Sequence, residues 1–395
     1  MTDLTPEQEE VQHWARDFAR RHIAPRALAL DKDPESPLRD ELLREAAHAG
    51  ILGASLPEFL GGAGHDPLTG VLATEEFAAA CAGCTVLFGA TTLGLTPILF
   101  CGDPMPVARF VPPLVESWQT DTPKLAALAA TEPDAGSDFI MGHSDGRIRT
   151  RVERQGDGYR INGRKVFISN GSIASLVTVF ASNNPSGSIR EGMSCFAVPT
   201  STPGFSVGQV FDKMGQRACP AAELIFDDVW VPTDHRLGDE GTAWGLNRMI
   251  MSVTRAPVAA IALGIARAAY EKALEYAEVR VQGGKPIVRH QAMQVLLADM
   301  AIRVEAARGL VWKAARGIGA GQPSLKLSSM AKAFASDAAV ANATDAIQIL
   351  GGYGYMHEYG VEKLLRDAKL TQIYEGTNQI NRFEIMEAIG SERGT

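Results

Sequence analysis

One carboxylate, Glu375, stands between an aromatic residue and a glycine-threonine break in Ile373-Tyr374-Glu375-Gly376-Thr377-Asn378-Gln379-Ile380. Gly376 frees the backbone to turn sharply and to approach a ligand closely. Thr377 is placed to N-cap a following helix marked by Ile380, Phe383, Ile385 and Met386. Glu375 would then sit at a helix entrance, on a rigid corner. That suits a general base, which must be held in reach of one proton and tuned by burial. A solvated turn glutamate is spelled the same way, because carboxylates are rarely buried without a partner. The remaining stretches have to decide between the two.

Three of them are rich in chemistry. Thr131-Glu132-Pro133-Asp134-Ala135-Gly136-Ser137-Asp138 packs hydroxyls, carboxylates and a glycine together, and reads either as donors and acceptors for a polar ring or as an Asx-rich turn. Phe167-Ile168-Ser169-Asn170-Gly171 ends a strand with an aromatic and a hydroxyl, which fits the flank of a flat cofactor or a plain hairpin. Gln348-Ile349-Leu350-Gly351-Gly352-Tyr353-Gly354 ends a long helix in glycines, where another molecule can come close to the backbone or the helix is simply capped. The five cysteines include Cys81-Ala-Gly-Cys84, which has redox-motif spacing inside an alanine-rich helical run; two packed, reduced thiols are expected there. No metal-ligand spacing occurs among the eight histidines, so no metal is expected.

The elements that must position these residues fall into three textures. The first, residues 1–123, is helical: Thr5-Pro6-Glu7-Gln8 is a capping-box start, and Pro25 marks the end of that helix. Further helices are expected at 38–50, 68–81 and 107–118, with the glycine loop Gly61–Gly64 as a turn and an apolar run at 86–100 too short to span a membrane. The second, 124–235, reads as short strands with hairpin turns at Gly156-Asp157-Gly158, Asn162-Gly163, Asn170-Gly171 and Asn184 to Gly187, the pattern of a small barrel or sandwich. The third, 236–395, is again helical, with long segments at 243–282, 286–317 and 324–350 and a short pair to 389. Met293, Leu297, Met300, Val304, Ala307 and Val311 alternate by four and three, a bundle seam.

The chain has 395 residues, 46% hydrophobic and 21% charged, with a net charge of −8. That balance argues against a nucleic-acid footprint. The N-terminus lacks the layout of a signal or transit peptide, so a cytoplasmic protein with no membrane attachment is expected.

Taken in order, Thr131–Asp138, Asn162-Gly163-Arg164-Lys165 through Gly171, Asp212-Lys213-Met214-Gly215, Gln348–Gly354, Arg366-Asp367-Ala368-Lys369 and Ile373–Ile380 resemble the acyl-CoA dehydrogenase family over nearly the whole length. The resemblance implies an α+β multidomain fold: an N-terminal all-α domain, a middle β-barrel and a C-terminal four-helix bundle. It implies FAD between the β-domain and the bundle, with Thr131 bonding the ring, Ser137 near the pyrophosphate and thioester, Phe167 packing on the ring and Ser169 near its reactive edge. Arg280, Gln291, Gln348, Gly351 and Gly352 match the contribution of a neighbouring subunit, with Thr377 and Gln379 on the flavin-bearing side, so a homodimer at least, and typically a homotetramer, is implied. Glu375 matches the catalytic base of short- and medium-chain members. Some relatives carry the base just before an arginine on the long helix; here that arginine matches Arg255 and is preceded by Thr254, which cannot serve. Ser137, Arg255, Tyr374 and Gly376 match substrate-binding positions.

The activity so implied is removal of the α-proton of an acyl-CoA by Glu375 and of the β-hydrogen by the flavin, giving a trans-2-enoyl thioester, with electrons passed to an electron-transfer flavoprotein. A carrier-protein thioester in place of acyl-CoA, a flavin oxidase or monooxygenase, and a non-catalytic scaffold are the alternatives; fold alone does not separate them. The sequence departs from the family at Gly283, where relatives usually carry phenylalanine, at Leu128, Cys219 and Ala221, and in a segment from Phe139 to Arg149 that looks longer than usual. These departures point to a specialised substrate without naming it.

Overall fold

The computed structural model describes residues 4–137, 148–184 and 188–394. Most of the segment from Phe139 to Arg149, and the centre of the expected turn after Asn184, lie outside the described residues.

The capping box forms as expected. Helix α1, Pro6–Phe18, starts with the Gln8 amide N–H on Thr5 Oγ1 at 3.2 Å and the Thr5 N–H on Gln8 Oε1 at 3.1 Å. Pro25 does not end the helical path. The chain continues through a π turn (Ala19–Ile23) and a 3-10 turn (Ala24–Arg26) into α2, Ala27–Lys32. Pro25 sits in the opening positions of the 3-10 turn, where its missing N–H leaves no bond unmade. Helix α3, Leu38–His48, follows, and then α4, Pro67–Phe100, and α5, Pro104–Ser117.

Helix α4 absorbs two segments that the sequence separates. It is capped by Asp66, whose carboxylate accepts from the Leu68 N–H at 2.8 Å, and it kinks at Cys81, where φ is −164° and ψ 110°. Before the kink, Leu68, Val71, Leu72 and Ala78 belong to the core of the C-terminal bundle. After it, Cys84, Leu87, Phe88, Leu95 and Ile98 belong to the core beneath the β-domain. The kink therefore turns one helix from one core into the other. By length and composition α4 and the long helix Ala243–Val279 could each cross a membrane, yet 67% and 72% of their most apolar windows are buried within the fold.

Strands β1 (Ala126–Ala129), β2 (Arg151–Gln155), β3 (Gly158–Ser169) and β4 (Leu176–Ser182), the short helix α6 (Ile189–Gly192), then β5 (Met193–Pro199), β6 (Phe205–Val210), β7 (Ala221–Pro232) and β8 (Arg236–Leu237) build one eight-stranded sheet. Its two halves, β6-β7-β3-β2 and β1-β4-β5-β8, are joined among the described residues by the single strand pairing Arg151↔Ser182. Both halves bury their inward residues in one cluster, including Val152, Tyr159, Val177, Phe196 and Leu224, as a barrel or sandwich requires. Gly156 at φ 63° makes the tight β2–β3 turn as expected. Asn162-Gly163 makes none. It lies inside β3, where the register with β7 shifts between Ile161 and Gly163. A side chain at Gly163 would lie 2.6 Å from Thr150 Cα, so the glycine serves a bulge with close backbone approach.

The C-terminal bundle comprises α7 (Ala243–Val279), α8 (Gln291–Gly319), α9 (Leu325–Leu350), α10 (Val361–Thr371) and α11 (Asn378–Arg393). A short antiparallel hairpin, Val281–Gln282 with Lys285–Pro286, connects α7 to α8. The seam Leu297, Met300, Val304, Ala307 and Val311 is buried. Across the bundle, Glu76 receives Arg16 of α1 at 2.8 Å and Arg267 of α7 at 2.7 Å, while Glu75 receives Arg308 of α8 at 2.8 Å. The first helical region is thereby ionically locked onto the bundle.

Candidate active site

Glu375 occupies the loop between α10 and α11, with φ at 53°, and Gly376 follows at 82°. Left-handed backbone is costly for a residue with a Cβ. Four elements hold it there. From α7, Arg255 Nε donates to the Glu375 carbonyl at 3.0 Å and Thr254 Oγ1 lies 3.4 Å from the carboxylate. From α9, Lys332 Nζ donates to the Gly376 carbonyl at 2.7 Å. From α11, Asn381 Nδ2 donates to the same carbonyl at 2.8 Å, and Thr377 caps the helix by accepting from the Ile380 N–H at 3.3 Å. From the β6–β7 turn, Gln216 Nε2 lies 3.4 Å from the Tyr374 hydroxyl.

The electrostatics follow from this packing. Burial raises the Glu375 pKa above the usual 4.5; Arg255, Lys332 and the Thr254 hydrogen bond oppose the rise. Burial, then the neighbouring Arg255 charge, pushes Lys332 down to about 7. Burial also raises Tyr374. The result is a carboxyl with more basic character than a solvated one, on a fixed corner.

Arg255 itself is fully buried, and its guanidinium is taken up by the Glu375 carbonyl, Ser329 Oγ at 2.7 Å and the Glu384 carboxylate. It reaches the corner from beneath. The apolar face expected of α11 is also reversed in part: Asn381 and Glu384 are buried, whereas Phe383 and Met386 are exposed. The buried Arg255 explains why, since Glu384 must face it. Periodicity of apolar letters could not show that.

On the β-domain side, Phe167 has φ at 62°, is 63% exposed, and packs on Phe211 with ring centroids 4.8 Å apart. An exposed aromatic in left-handed backbone presents a flat apolar face. Ser169 ends the same strand. The Thr131 carbonyl accepts from the Val166 N–H at 2.9 Å, tying its loop to β3, while Ser137 is exposed. Two residues not singled out by sequence complete this tie. Lys165 and Glu132 are both buried and paired at 2.8 Å, and Glu132 also accepts from the Thr150 N–H at 2.9 Å. Both lie in quoted motifs, and a lysine at an inward strand position was the available signal. The turn after β6 links the two sides, since Phe211 meets Phe167 and Gln216 meets Tyr374.

The other predicted residues gather elsewhere. A cavity of about 770 Å³ is lined by Arg280, Gly283, Gln348, Gly351 and Gly352, with Tyr353 beneath the Arg280 guanidinium at 5.5 Å. Gln291 begins α8 next to His290 and Ala292 of its wall. Gln348 follows Lys332 by sixteen positions along α9, or about 24 Å of helix. The cavity and the Glu375 corner are thus at opposite ends of one helix. Thr377 and Gln379 stay with Glu375. Among the described residues no group of histidine, cysteine and carboxylate could hold a metal.

Residues 5–117, 127–229 and 241–390 match in turn the N-terminal, middle and C-terminal domain models of acyl-CoA dehydrogenase. The chain belongs to the acyl-CoA dehydrogenase family. It is 43% identical over 387 residues to an acyl-CoA dehydrogenase of Bacillus subtilis, covering 97% of each chain. It superposes on butyryl-CoA dehydrogenase from Megasphaera elsdenii with a TM-score of 0.91, at 39% identity, covering 98% of this chain and 99% of that one. A structure described as the FAD complex of PigA gives a TM-score of 0.90 at 28% identity, covering 99% of each. The protein is therefore an oxidoreductase that dehydrogenates acyl-CoA.

Proposed function

We propose that the enzyme carries out FAD-dependent α,β-dehydrogenation of an acyl-CoA to the trans-2-enoyl-CoA, with Glu375 as the base that removes the α-proton. The observation that carries this reading is the Glu375 corner: a carboxylate in left-handed backbone, fixed from four elements, whose burial makes it a stronger base. The residues present fit a flavin. Phe167 offers an exposed flat ring, Gly351 and Gly352 have nothing within 4 Å of where a Cβ would stand, and the cavity at Arg280 and Gln348 gives a dinucleotide room. When bound, FAD supplies the acceptor for the β-hydrogen as hydride.

The chain's own residues do the rest. The Glu375 carboxylate receives the α-proton, and Thr254 Oγ1 steadies that carboxylate. The Glu375 amide N–H has no acceptor among the described residues and is available to the thioester oxygen, where charge builds as the proton leaves. Arg255 and Lys332 act as positioning residues, because they hold the two carbonyls on either side of the turn. Tyr374, Gly376 and Ser137 line the substrate path, and Thr131, Ser169, Thr377 and Gln379 bond the cofactor.

Arg280, Gln291, Gln348, Gly351 and Gly352 complete the cofactor site of a neighbouring copy, which makes the enzyme at least a homodimer and, as a pair of such pairs, a homotetramer. Reduced enzyme passes its electrons to an electron-transfer flavoprotein, in the cytoplasm. An anaerobic acyl-CoA titration followed by flavin absorbance tests the reading. Wild type should bleach, and Glu375→Gln should keep its yellow cofactor yet bleach on the order of 10³-fold more slowly. Full-speed bleaching by Glu375→Gln would remove Glu375 as the base.

A further inference from the structure

Helix α4 carries two thiols that dehydrogenation does not use. Cys81 and Cys84 are both buried at the kink, where Cys81 leaves helical backbone. Cys84 follows Cys81 by three positions, and Lys363 Nζ of α10 reaches Cys81 Sγ at 3.4 Å. The Cys84 hydrogen bond chiefly, with Lys363 assisting against the cost of burial, lowers the Cys81 pKa to about 6, while Cys84 is pushed up. The Lys363 ammonium beside Cys81 favours the thiolate on that sulfur, and burial without such a partner favours the protonated thiol on Cys84, the division of labour in a reactive dithiol.

The pair is mechanically connected to the active site. Gly83, between the two cysteines, lies so close to the β6–β7 turn that a Cβ there would stand 3.0 Å from the Gln216 carbonyl carbon and 3.2 Å from the Ala218 nitrogen. Lys363 is paired with Asp367 at 2.5 Å, and Asp367 accepts from the Gln216 N–H at 2.5 Å. Gln216 Nε2 donates to the Asp367 carbonyl at 2.9 Å and lies 3.4 Å from the Tyr374 hydroxyl, one residue before Glu375.

We propose that Cys81 and Cys84 are a reversible, peroxide-sensitive dithiol whose oxidation to a disulfide is transmitted through Gly83, Gln216 and Asp367 to the Tyr374-Glu375 corner. Hydrogen peroxide is the oxidant. The Cys81 thiolate attacks one peroxide oxygen, the O–O bond breaks, and the departing hydroxide takes a proton to leave as water, with Cys81 now a sulfenic acid. The Cys84 sulfur then attacks Cys81, the S–O bond breaks, and hydroxide leaves with the Cys84 proton as a second water. Two thiols are oxidised and one peroxide is reduced. Forming the S–S bond draws in the turn that carries Gly83 and discharges the sulfur facing Lys363. Both changes bear on Gln216.

The effect on turnover rests on Glu375 being the base; the oxidation does not. Holoenzyme treated with peroxide, alkylated and digested should show the segment holding Cys81 and Cys84 lighter by two hydrogens, reversed by dithiothreitol. Amide exchange of residues 214–218 should change with it. Displacements of about 1 Å at a reacting centre cost on the order of 10²-fold, so acyl-CoA turnover should drop at least tenfold and recover on reduction. In Cys84→Ser, peroxide should instead leave added oxygen on Cys81. Both thiols remaining alkylatable after peroxide has oxidised the exposed Met105 and Met386 would overturn the proposal. So would a Cys81–Lys363 crosslink that gains an oxygen while losing two hydrogens. A disulfide that leaves exchange at 214–218 unchanged would overturn the transmission. An enzyme inactive on every acyl-CoA would still show the mass change, so failure of the dehydrogenase reading is separable.

Discussion

Lys332 allows the electrostatics of the corner to be tested by stability alone. It is fully buried in α9, and its ammonium donates to two neutral oxygens, the Gly376 carbonyl at 2.7 Å and Asn378 Oδ1 at 3.0 Å. Burial, aided by the Arg255 and Arg382 charges and opposed by Glu375 and Asp337, moves it from 10.5 to about 7. That difference corresponds to on the order of 5 kcal/mol of proton affinity lost on folding. Between the two values the unfolded chain holds the proton and the folded one does not, so wild-type stability rises with pH across this window. Below about pH 7 both states are protonated and the full cost of burying the charge is present. Lys332→Met has no proton to bind. It loses two hydrogen bonds, about 1 kcal/mol each, independent of pH. Neither acceptor is stranded, because Asn381 still donates to the Gly376 carbonyl at 2.8 Å and Ser336 to Asn378 Oδ1 at 3.1 Å.

Urea unfolding followed by circular dichroism at about pH 6.5 and about pH 9.5 should therefore show the stability difference between variant and wild type shifting against the variant by about 3 kcal/mol as pH rises. An equal difference at both pH values would mean that Lys332 keeps an ordinary pKa, and the account of a desolvated corner would fail.

Four further outcomes are expected. The acid limb of kcat/KM should lie above the usual carboxylate range, activity falling as pH drops through the raised Glu375 value; a limb at or below about 4.5 in the pH profile would refute it. Glu384→Gln should destabilise by about 3–5 kcal/mol in urea unfolding, because it leaves the buried Arg255 without its carboxylate; a change under about 1 kcal/mol would show that the pair is dispensable. Gly94→Ala should cost about 1–3 kcal/mol by the same assay, since its Cβ would stand 2.5 Å from the Ala127 nitrogen where α4 meets β1. Glu375→Gly should abolish turnover while raising stability by about 1 kcal/mol, because glycine adopts φ of 53° without penalty.

The sequence revealed most where one local rule acts alone. The Thr5 capping box, the Gly156 turn, the Thr377 cap and the bundle seam each depend on neighbours a few positions away, and each is found. It failed where tertiary packing sets the conformation. Asn162-Gly163 carries hairpin chemistry, yet Thr150 pressing on the glycine keeps the strand running. Cys81 carries no breaker, yet α4 bends there to pass from one core to another. At the site, Glu375 and its cap were legible from Gly376 and Thr377. Lys332 was not, because a lysine letter on a long helix carries no mark of whether the fold will bury it, and the inward strand position of Lys165 was the one signal for its pair with Glu132.

Backbone strain gives the site its own signature. Of the five non-glycine residues with positive φ among the described residues, Phe167 and Glu375 lie on the two sides proposed to face the flavin and the substrate. Glycine would be cheaper at either place by about 1–2 kcal/mol. A side chain held in such backbone persists only where its surroundings over-determine it. Here they do: Arg255 and Lys332 fix the carbonyls around Glu375, and Phe211 packs against Phe167. What the protein keeps at that cost is a carboxylate on one wall and an exposed ring on the other, joined through the turn that bears Phe211 and Gln216. A fold selected only for stability has no use for either. A fold that must hold a base and a flat cofactor face in register needs both, and needs that turn to be rigid.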